Sequence, residues 1–287
     1  MKRQILTIIT IVLLTTTVFG QGKTLIGIVP FKTAGTNERS YYGSPSPNEY
    51  QSAIQDAVAD AFIKTKRFSL VEREKMDQLK SEKNLQKGED FIDGSVIEQS
   101  KSLGAQYVVL GNISKAKVEQ KQSYVPYLGS STTYVAEVAF SVRVVDVTTG
   151  EIIASNSFDK TSKGKNAFED ALKEIKPQIE KFIKDNFKIV ASIASIEEKN
   201  SAGDATKVLI SGGTSTGVKE NNEFKVYEVS ELLVDGKKLI RKKTIGKIIV
   251  SKVEDENFSL CTVKEGGAEI SKKVEAGAKI KCEITNE

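Results

Sequence analysis

A chain of 287 residues, 39% hydrophobic and 28% charged, suffices for one large domain or two ordinary ones and has a globular rather than a disordered composition. Its 42 Lys and Arg against 38 Asp and Glu leave a formal net charge of +4, of which Lys2 and Arg3 supply two, so nothing calls for a nucleic-acid partner. His is absent and only two Cys are present, which removes the commonest general base, the commonest metal ligand and any structural zinc site; no metal, no cofactor and no enzymatic activity are expected.

The amino end has the three parts of a secretion signal. Lys2 and Arg3 are followed by an apolar run from Ile5 to Leu14, and Val18 and Gly20 supply the small residues before a cleavage point between Gly20 and Gln21. A spanning helix needs about 20 predominantly apolar residues, and this run is shorter and broken by Thr7 and Thr10. No Cys lies beside the cleavage point to accept a lipid, and no later run is long and apolar enough for a spanning helix. The expected product is exported, periplasmic and not lipidated.

Leu25 to Phe31 is a short apolar run, the pattern of a buried strand. A polar loop from Thr33 to Pro45 carries Tyr41 and Tyr42. Ser46 and Glu49 then form a capping box with Pro47 at the first helical position, and Ala53, Ile54, Ala57, Val58, Ala61 and Phe62 make one apolar stripe. Phe68 to Val71 reads as a second strand, Glu72 opens a charged helix with Met76 and Leu79 inward, and a further helix from Ser95 to Leu103 ends at Gly104. The carboxylates Glu89, Asp90 and Asp93 between those helices suit turns and a cap better than catalysis. Tyr107 to Ile113 is a strand. Tyr134 to Val147 is a longer one, alternating strictly, and Thr149-Gly150 turns it into a hairpin with Glu151 to Phe158. A helix from Ala167 to Phe187, with Phe168, Leu172, Ile175, Ile179 and Phe182 inward and a kink at Pro177, closes an α/β (α+β) mixed sheet flanked by helices.

Beyond Asn186 short strand-like runs follow one another to residue 285, separated by turns such as Val234-Asp235-Gly236-Lys237. That pattern is a small all-β barrel or sandwich. The expected division is residues 1–20 as signal, 21–187 as the α/β domain and 188–287 as the all-β domain. Gly212 to Gly217 nearly matches a phosphate-binding loop but continues with Val218 where that motif needs Lys, so it reads as a turn. Cys261 and Cys282 fall on neighbouring predicted strands. In an oxidising compartment they could close a loop of about 20 residues, worth roughly 3 kcal/mol. Equally, they are small core residues, since Cys282 shares a face with Ile280 and Ile284.

Three segments resemble hallmarks of the CsgG-type curli assembly/transport family: Arg67-Phe68-Ser69-Leu70-Val71-Glu72-Arg73-Glu74-Lys75-Met76, Leu103-Gly104-Ala105-Gln106-Tyr107-Val108-Val109-Leu110-Gly111-Asn112-Ile113, and Val142-Arg143-Val144-Val145-Asp146-Val147-Thr148-Thr149-Gly150-Glu151-Ile152. They occur in family order over residues 22–187. A looser resemblance links Val208 to Val229, with Gly217-Val218 and Phe224-x-Val226-Tyr227, to the carboxy-terminal domain of the flagellar assembly protein FlgT. The family resemblance implies either an outer-membrane secretion channel or a soluble periplasmic accessory. A channel of this type inserts two hairpins per subunit, and each crossing strand needs about 9–11 residues with one apolar face. Between Lys115 and Thr133 one face carries Lys115, Lys117, Glu119 and Lys121, and the other carries Gln120 and Gln122 beside Val118, so neither suits lipid. Between Phe158 and Ala167 too few residues remain for a hairpin, and the family's pore-loop pattern is not reproduced around Tyr41 and Tyr42. The resemblance therefore implies an accessory in assembly or secretion of an envelope structure, with an outer-membrane channel subunit as the alternative. Its expected partners are envelope or secretion proteins, further copies of itself, and outer-membrane components at the periphery. Tyr41, Tyr42, Tyr124 and Tyr127, with Tyr134 nearby, are candidate partner-binding aromatics or loop-packing residues.

Overall fold

The computed structural model describes residues 23–33, 47–71, 104–125, 127 and 129–286. The leader with Gly20 and Gln21, the loop with Tyr41 and Tyr42, Ser46, and the helices expected from Glu72 and from Ser95 lie outside the described residues.

The first sheet follows the order β3-β1-β4-β5-β6, with β2 paired to β4. Its strands are β1 (Thr24–Ile28), β2 (Lys32–Thr33), β3 (Phe68–Leu70), β4 (Tyr107–Val125), β5 (Gly129–Asp146) and β6 (Ile152–Lys163). β1 runs parallel to β3 and β4, while β4, β5 and β6 are antiparallel, which makes the sheet mixed as expected. Helix α1 (Pro47–Lys64) begins on Pro47, whose missing N–H and fixed φ suit that position. Its stripe of Ile54, Ala57, Val58, Ala61 and Phe62 is buried against the sheet.

Helix α2 (Ala167–Asn186) runs unbroken through Pro177, with Phe168, Leu172, Ile175, Ile179 and Phe182 all buried. The two helices lie side by side in the same direction: Tyr50 and Phe168 rings meet at 4.4 Å near their starts, and Lys64 and Glu180 pair at 2.7 Å near their ends. Between helices and sheet runs a row of rings, Phe31–Phe140–Phe158–Phe182, with centroids 6.4, 5.4 and 6.0 Å apart. The β5–β6 turn forms where Thr149-Gly150 predicts it. The Asp146 carboxylate accepts the N–H groups of Thr148 and Thr149, and Gly150 takes a φ of 74°.

The second sheet is wholly antiparallel and curls into a half-barrel in the order β7-β13-β10-β11-β12-β9-β8. Its strands are β7 (Val190–Ala191), β8 (Ile193–Lys199), β9 (Ala205–Ile210), β10 (Glu223–Val234), β11 (Lys237–Val253), β12 (Ser259–Glu265) and β13 (Ile280–Ile284). Their inward residues form a separate core with Val208, Phe224, Val226, Ile248, Val250 and Cys282 at its centre. One element was not foreseen: helix α3 (Gly267–Glu275) connects β12 to β13 and buries Ile270 in that core. Its large apolar residues number only Ile270 and Val274, one turn apart, too few to separate from strand periodicity in the sequence.

The two sheets meet at the end of α1. The Arg67 guanidinium donates to the carbonyls of Ile183 and Phe187 at the end of α2, where a cation also suits the helix dipole. Burial lowers its pKa to about 10, so it stays charged at neutral pH. The Phe187 ring packs against Phe68 and Tyr107 at 5.1 and 5.8 Å. The glycine-rich stretch that imitates a phosphate loop is a turn with a short 3-10 segment, Thr214–Thr216. At Gly217 (φ 84°) a Cβ would stand 2.8 Å from the Thr65 carbonyl oxygen, so glycine here permits both the turn and the close approach of the second sheet.

Candidate docking surface

The sequence reading ends the strand before residue 115 and resumes it at residue 134. The structure instead continues both strands into a ribbon, paired from Lys115↔Ala139 to Val125↔Gly129. The intervening residues look like a loop because they are polar, but backbone pairing needs no apolar face. The strands are held partly by charge: Lys115 reaches Glu137 across the pair at 3.2 Å, and Lys117 meets Glu119 at 2.6 Å and Glu137 at 3.9 Å. The hydrogen bond from Lys117 holds the Glu119 carboxyl below its usual range.

The ribbon stands clear of the rest of the sheet. β1 and β2 accompany β4 only as far as Ile113, and β6 accompanies β5 only from Val135, which pairs with Lys163. The last six pairs, from Gln120↔Tyr134 to the end, have no third strand among the described residues and project about 20 Å. On one face lie Gln120, Tyr134, Gln122, Thr132, Tyr124 and Ser130; on the other Lys121, Ser123, Thr133 and Ser131. Neither face offers the apolar stripe that a lipid-crossing strand requires.

The candidate aromatics Tyr124 and Tyr127 come together at the tip, 75% and fully exposed. Tyr127 holds a φ of 70°, a conformation that costs a non-glycine residue about 1–2 kcal/mol and that displays its ring to solvent. Tyr134 lies at the ribbon's root, across from Gln120 and 38% exposed. The charged root and the aromatic tip differ in what they can bind. Charged side chains along an open edge discourage strand addition, whereas exposed tyrosines supply the amphipathic area from which interface anchors are built.

The cysteines are not on neighbouring strands. They are close in sequence order of strands, but β10 and β11 stand between β13 and β12 because α3 carries the chain across the barrel. Cys261 and Cys282 are buried free thiols of the second core. Burial pushes the Cys261 thiol up to about 12 and raises Cys282 further in the same direction, with Cys261 adding to the effect. Thiolates are therefore scarce in the native state. Titration with an aromatic disulfide reagent at pH 8, without reductant, is expected to find almost no reactive thiol in the folded protein and two after denaturation; none after denaturation would establish a bridge instead. Because the folded pKa lies above the unfolded value of about 8.5, the thiol term in stability is intact below that pH and is lost as pH rises toward 12. The slope is at most about 1.4 kcal/mol per pH unit for each thiol, to be read from chemical denaturation at pH 8, 9.5 and 11.

A cleft of about 450 Å³ at the junction of the sheets is lined by Lys23, Arg67, Tyr107, Phe187 and Glu283, among others. Its one carboxylate, Glu283, already pairs with Lys242 at 3.2 Å. Among the described residues no group of three His, Cys, Asp or Glu is placed to hold a metal ion, and no described helix is long and apolar enough to cross a membrane. One exposed feature escaped the sequence reading altogether: Leu232, Leu233, Val234, Leu239 and Ile240 lie on the surface of β10 and β11. The signal was present, since Leu232-Leu233-Val234 abuts the Asp235-Gly236 turn, but an apolar strand end reads by default as core.

A protein-family model described as the curli production assembly/transport component CsgG matches residues 10–224. The match stops just inside β10, so most of the second sheet lies beyond it. None of the curated proteins matches the chain. Among solved structures, the chain is similar to the hypothetical protein CT253 from Chlamydia trachomatis (16% identity, 57% of this chain and 100% of that one, TM-score 0.35). It is also similar to the LpoB C-terminal domain from Salmonella enterica (21%, 48% and 82%, 0.29) and to a subunit of the PelC dodecamer from Paraburkholderia phytofirmans (12%, 56% and 85%, 0.32).

Proposed function

The chain belongs to the curli production assembly/transport (CsgG) family, and on that premise we propose that it is a non-enzymatic periplasmic accessory in the assembly or secretion of a cell-envelope or surface structure, a curli-like fibre or appendage. The observation that carries this reading is the β4–β5 ribbon, which is long, polar on both faces and tipped by two exposed tyrosines. Such a ribbon is built to reach a partner through water. Its partners in this reading are envelope or secretion proteins, or further copies of the chain. The junction cleft supports the non-enzymatic part, since its one carboxylate, Glu283, is already paired with Lys242.

The tip is tested by replacing both aromatics, Tyr124→Ser with Tyr127→Ser, and measuring capture of envelope proteins by pull-down from native envelope extracts. Both residues are exposed, so the thermal midpoint should not fall; at Tyr127 a less bulky residue at positive φ is at worst neutral. Loss of the captured species by tenfold or more is expected. Undiminished capture by a folded double variant would refute docking by the tip.

One observation favours the channel-subunit alternative. The strands β4 and β5, of 19 and 18 residues, are each longer than a bilayer crossing requires, although only their last six pairs stand free of the sheet. Against it stands the polarity of both faces. Conductance of the purified protein in planar bilayers, or rings in electron micrographs of detergent extracts, would decide for the channel.

A further inference from the structure

A second arm rises from the other sheet, and its chemistry is the opposite of the first. β13 accompanies β10 only to Glu228, and β12 accompanies β11 only from Lys247. Beyond those limits β10 and β11 continue as a two-stranded arm, paired from Val229↔Lys242 to Val234↔Lys237 around the Asp235-Gly236 turn. Every residue from 231 to 244 is exposed. Leu233 and Ile240 are 73% and 70% exposed, and Leu232, Val234 and Leu239 are 42–51% exposed. Register places Leu232, Leu239 and Val234 on one face and Leu233 and Ile240 on the other. The arm therefore has no single apolar side to lay on a protein groove; apolar side chains stand on both faces, behind the Asp235-Gly236 turn.

Charge distinguishes what could receive such an arm. Lys237, Lys238 and Arg241 adjoin the leucines and make no ion pair among the described residues, whereas Lys242 and Lys243, nearer the root, are held by Glu283 and Glu269 at 3.2 and 3.5 Å. Against the three unpaired cations the arm sets only Glu231 and Asp235. Exposed apolar side chains with long, flexible cations among them suit a bilayer surface: the leucines can enter the acyl boundary to about 5–10 Å while Lys237, Lys238 and Arg241 extend to headgroup level.

We propose that the β10–β11 arm is a lipid-contacting arm, which inserts Leu232, Leu233, Val234, Leu239 and Ile240 into a bilayer surface bearing anionic phosphate headgroups while Lys237, Lys238 and Arg241 hold those headgroups. It would bring the protein against a membrane without crossing it. The inference uses elements other than the tyrosine tip, so it stands or falls separately from the accessory role.

The chain contains no Trp, which gives a clean reporter. In the full-length Leu233→Trp variant, emission should shift to the blue when vesicles of phosphatidylethanolamine and phosphatidylglycerol are added, and the shift should reverse at high salt. Vesicles of phosphatidylcholine alone should produce little shift. Adding Lys237→Gln, Lys238→Gln and Arg241→Gln should move the lipid midpoint upward by more than about tenfold, since each cation near such a surface is worth roughly fivefold. A Tyr124→Trp variant, with its reporter on the other ribbon, should stay unshifted, which excludes a signal arising from the apolar segment 5–14. The proposal is overturned by an absent shift on anionic vesicles, by equal shifts on neutral ones, or by equal shifts at both reporter positions. A shift that follows protein concentration without lipid would assign the arm to a second copy of the chain and would equally overturn it.

Discussion

Phe158→Ala is expected to lower the unfolding free energy by about 3–5 kcal/mol, a large share of the 5–15 kcal/mol that a domain of ordinary stability possesses. Phe158 on β6 is 1% exposed and stands in the middle of the ring row, between Phe140 on β5 and Phe182 on α2. Its removal opens a cavity where helix and sheet meet, and neither side can collapse freely into it. The sheet is fixed by the β5–β6 register and α2 by its eight buried residues. The measurement is the urea midpoint at constant slope. Should Phe158→Ala fail to fold, Phe158→Leu keeps most of the volume and is expected to lose less than about 1.5 kcal/mol. A loss under about 1 kcal/mol for the alanine variant would show that the ring row is not one packed unit.

Gly111→Ala is expected to cost about 3 kcal/mol, the upper end of what overpacking ordinarily does, although it adds only a methyl group at a position regularly paired with Val142. The reason is Phe31. Its ring lies flat on the strand at Gly111, so that a Cβ would stand 2.2–2.4 Å from three ring atoms near its point of attachment. Those atoms cannot swing aside: Phe31 is 2% exposed and packed against Phe140. A double-mutant cycle separates this from a general dislike of alanine in the strand. In a Phe31→Ala background, itself destabilised, the further loss from Gly111→Ala should fall to below about 1 kcal/mol. An undiminished loss in that background would mean that Phe31 is not the obstacle.

The glycine also explains part of the family resemblance. In Leu110-Gly111-Asn112 the sequence displays a glycine inside an apolar strand, where it offers no turn and weakens pairing. Only the packed structure supplies the reason, the ring of Phe31, arriving from eighty positions earlier in the chain. The same holds for Arg67, whose place at the head of the first hallmark segment has no local cause. Its guanidinium closes the end of a helix more than a hundred residues later.

Elements whose pattern is set by their own neighbours were legible. α1 could be read from Pro47 and its stripe, α2 from five inward apolar residues, and the β5–β6 hairpin from Thr149-Gly150, because each is specified by contacts within a few residues along the chain. The family was legible too, through three segments in order. What escaped were the two projecting ribbons and α3. A strand with polar side chains on both faces leaves no periodic trace, since its stability comes from backbone pairing with a partner that the sequence does not identify; thus residues 115–133 read as a loop. An apolar strand end is ambiguous in a different way, since nothing in Leu232 to Val234 says whether they are covered until the limits of β12 and β13 leave them exposed. The cysteines repeat the lesson, lying on strands that are consecutive in sequence but have two others between them in the sheet.

The sequence by itself determined the mixed sheet with its helices, the curled β region after Asn186 and the family to which the chain belongs, because local periodicity and short motifs specify those. The tertiary structure alone decided which surfaces are left over for function: a polar ribbon ending in Tyr124 and Tyr127, and a basic arm with exposed leucines on the other sheet. Exposure is a property of what fails to pack against a residue. That depends on where neighbouring strands stop, and no residue carries that information in its own type.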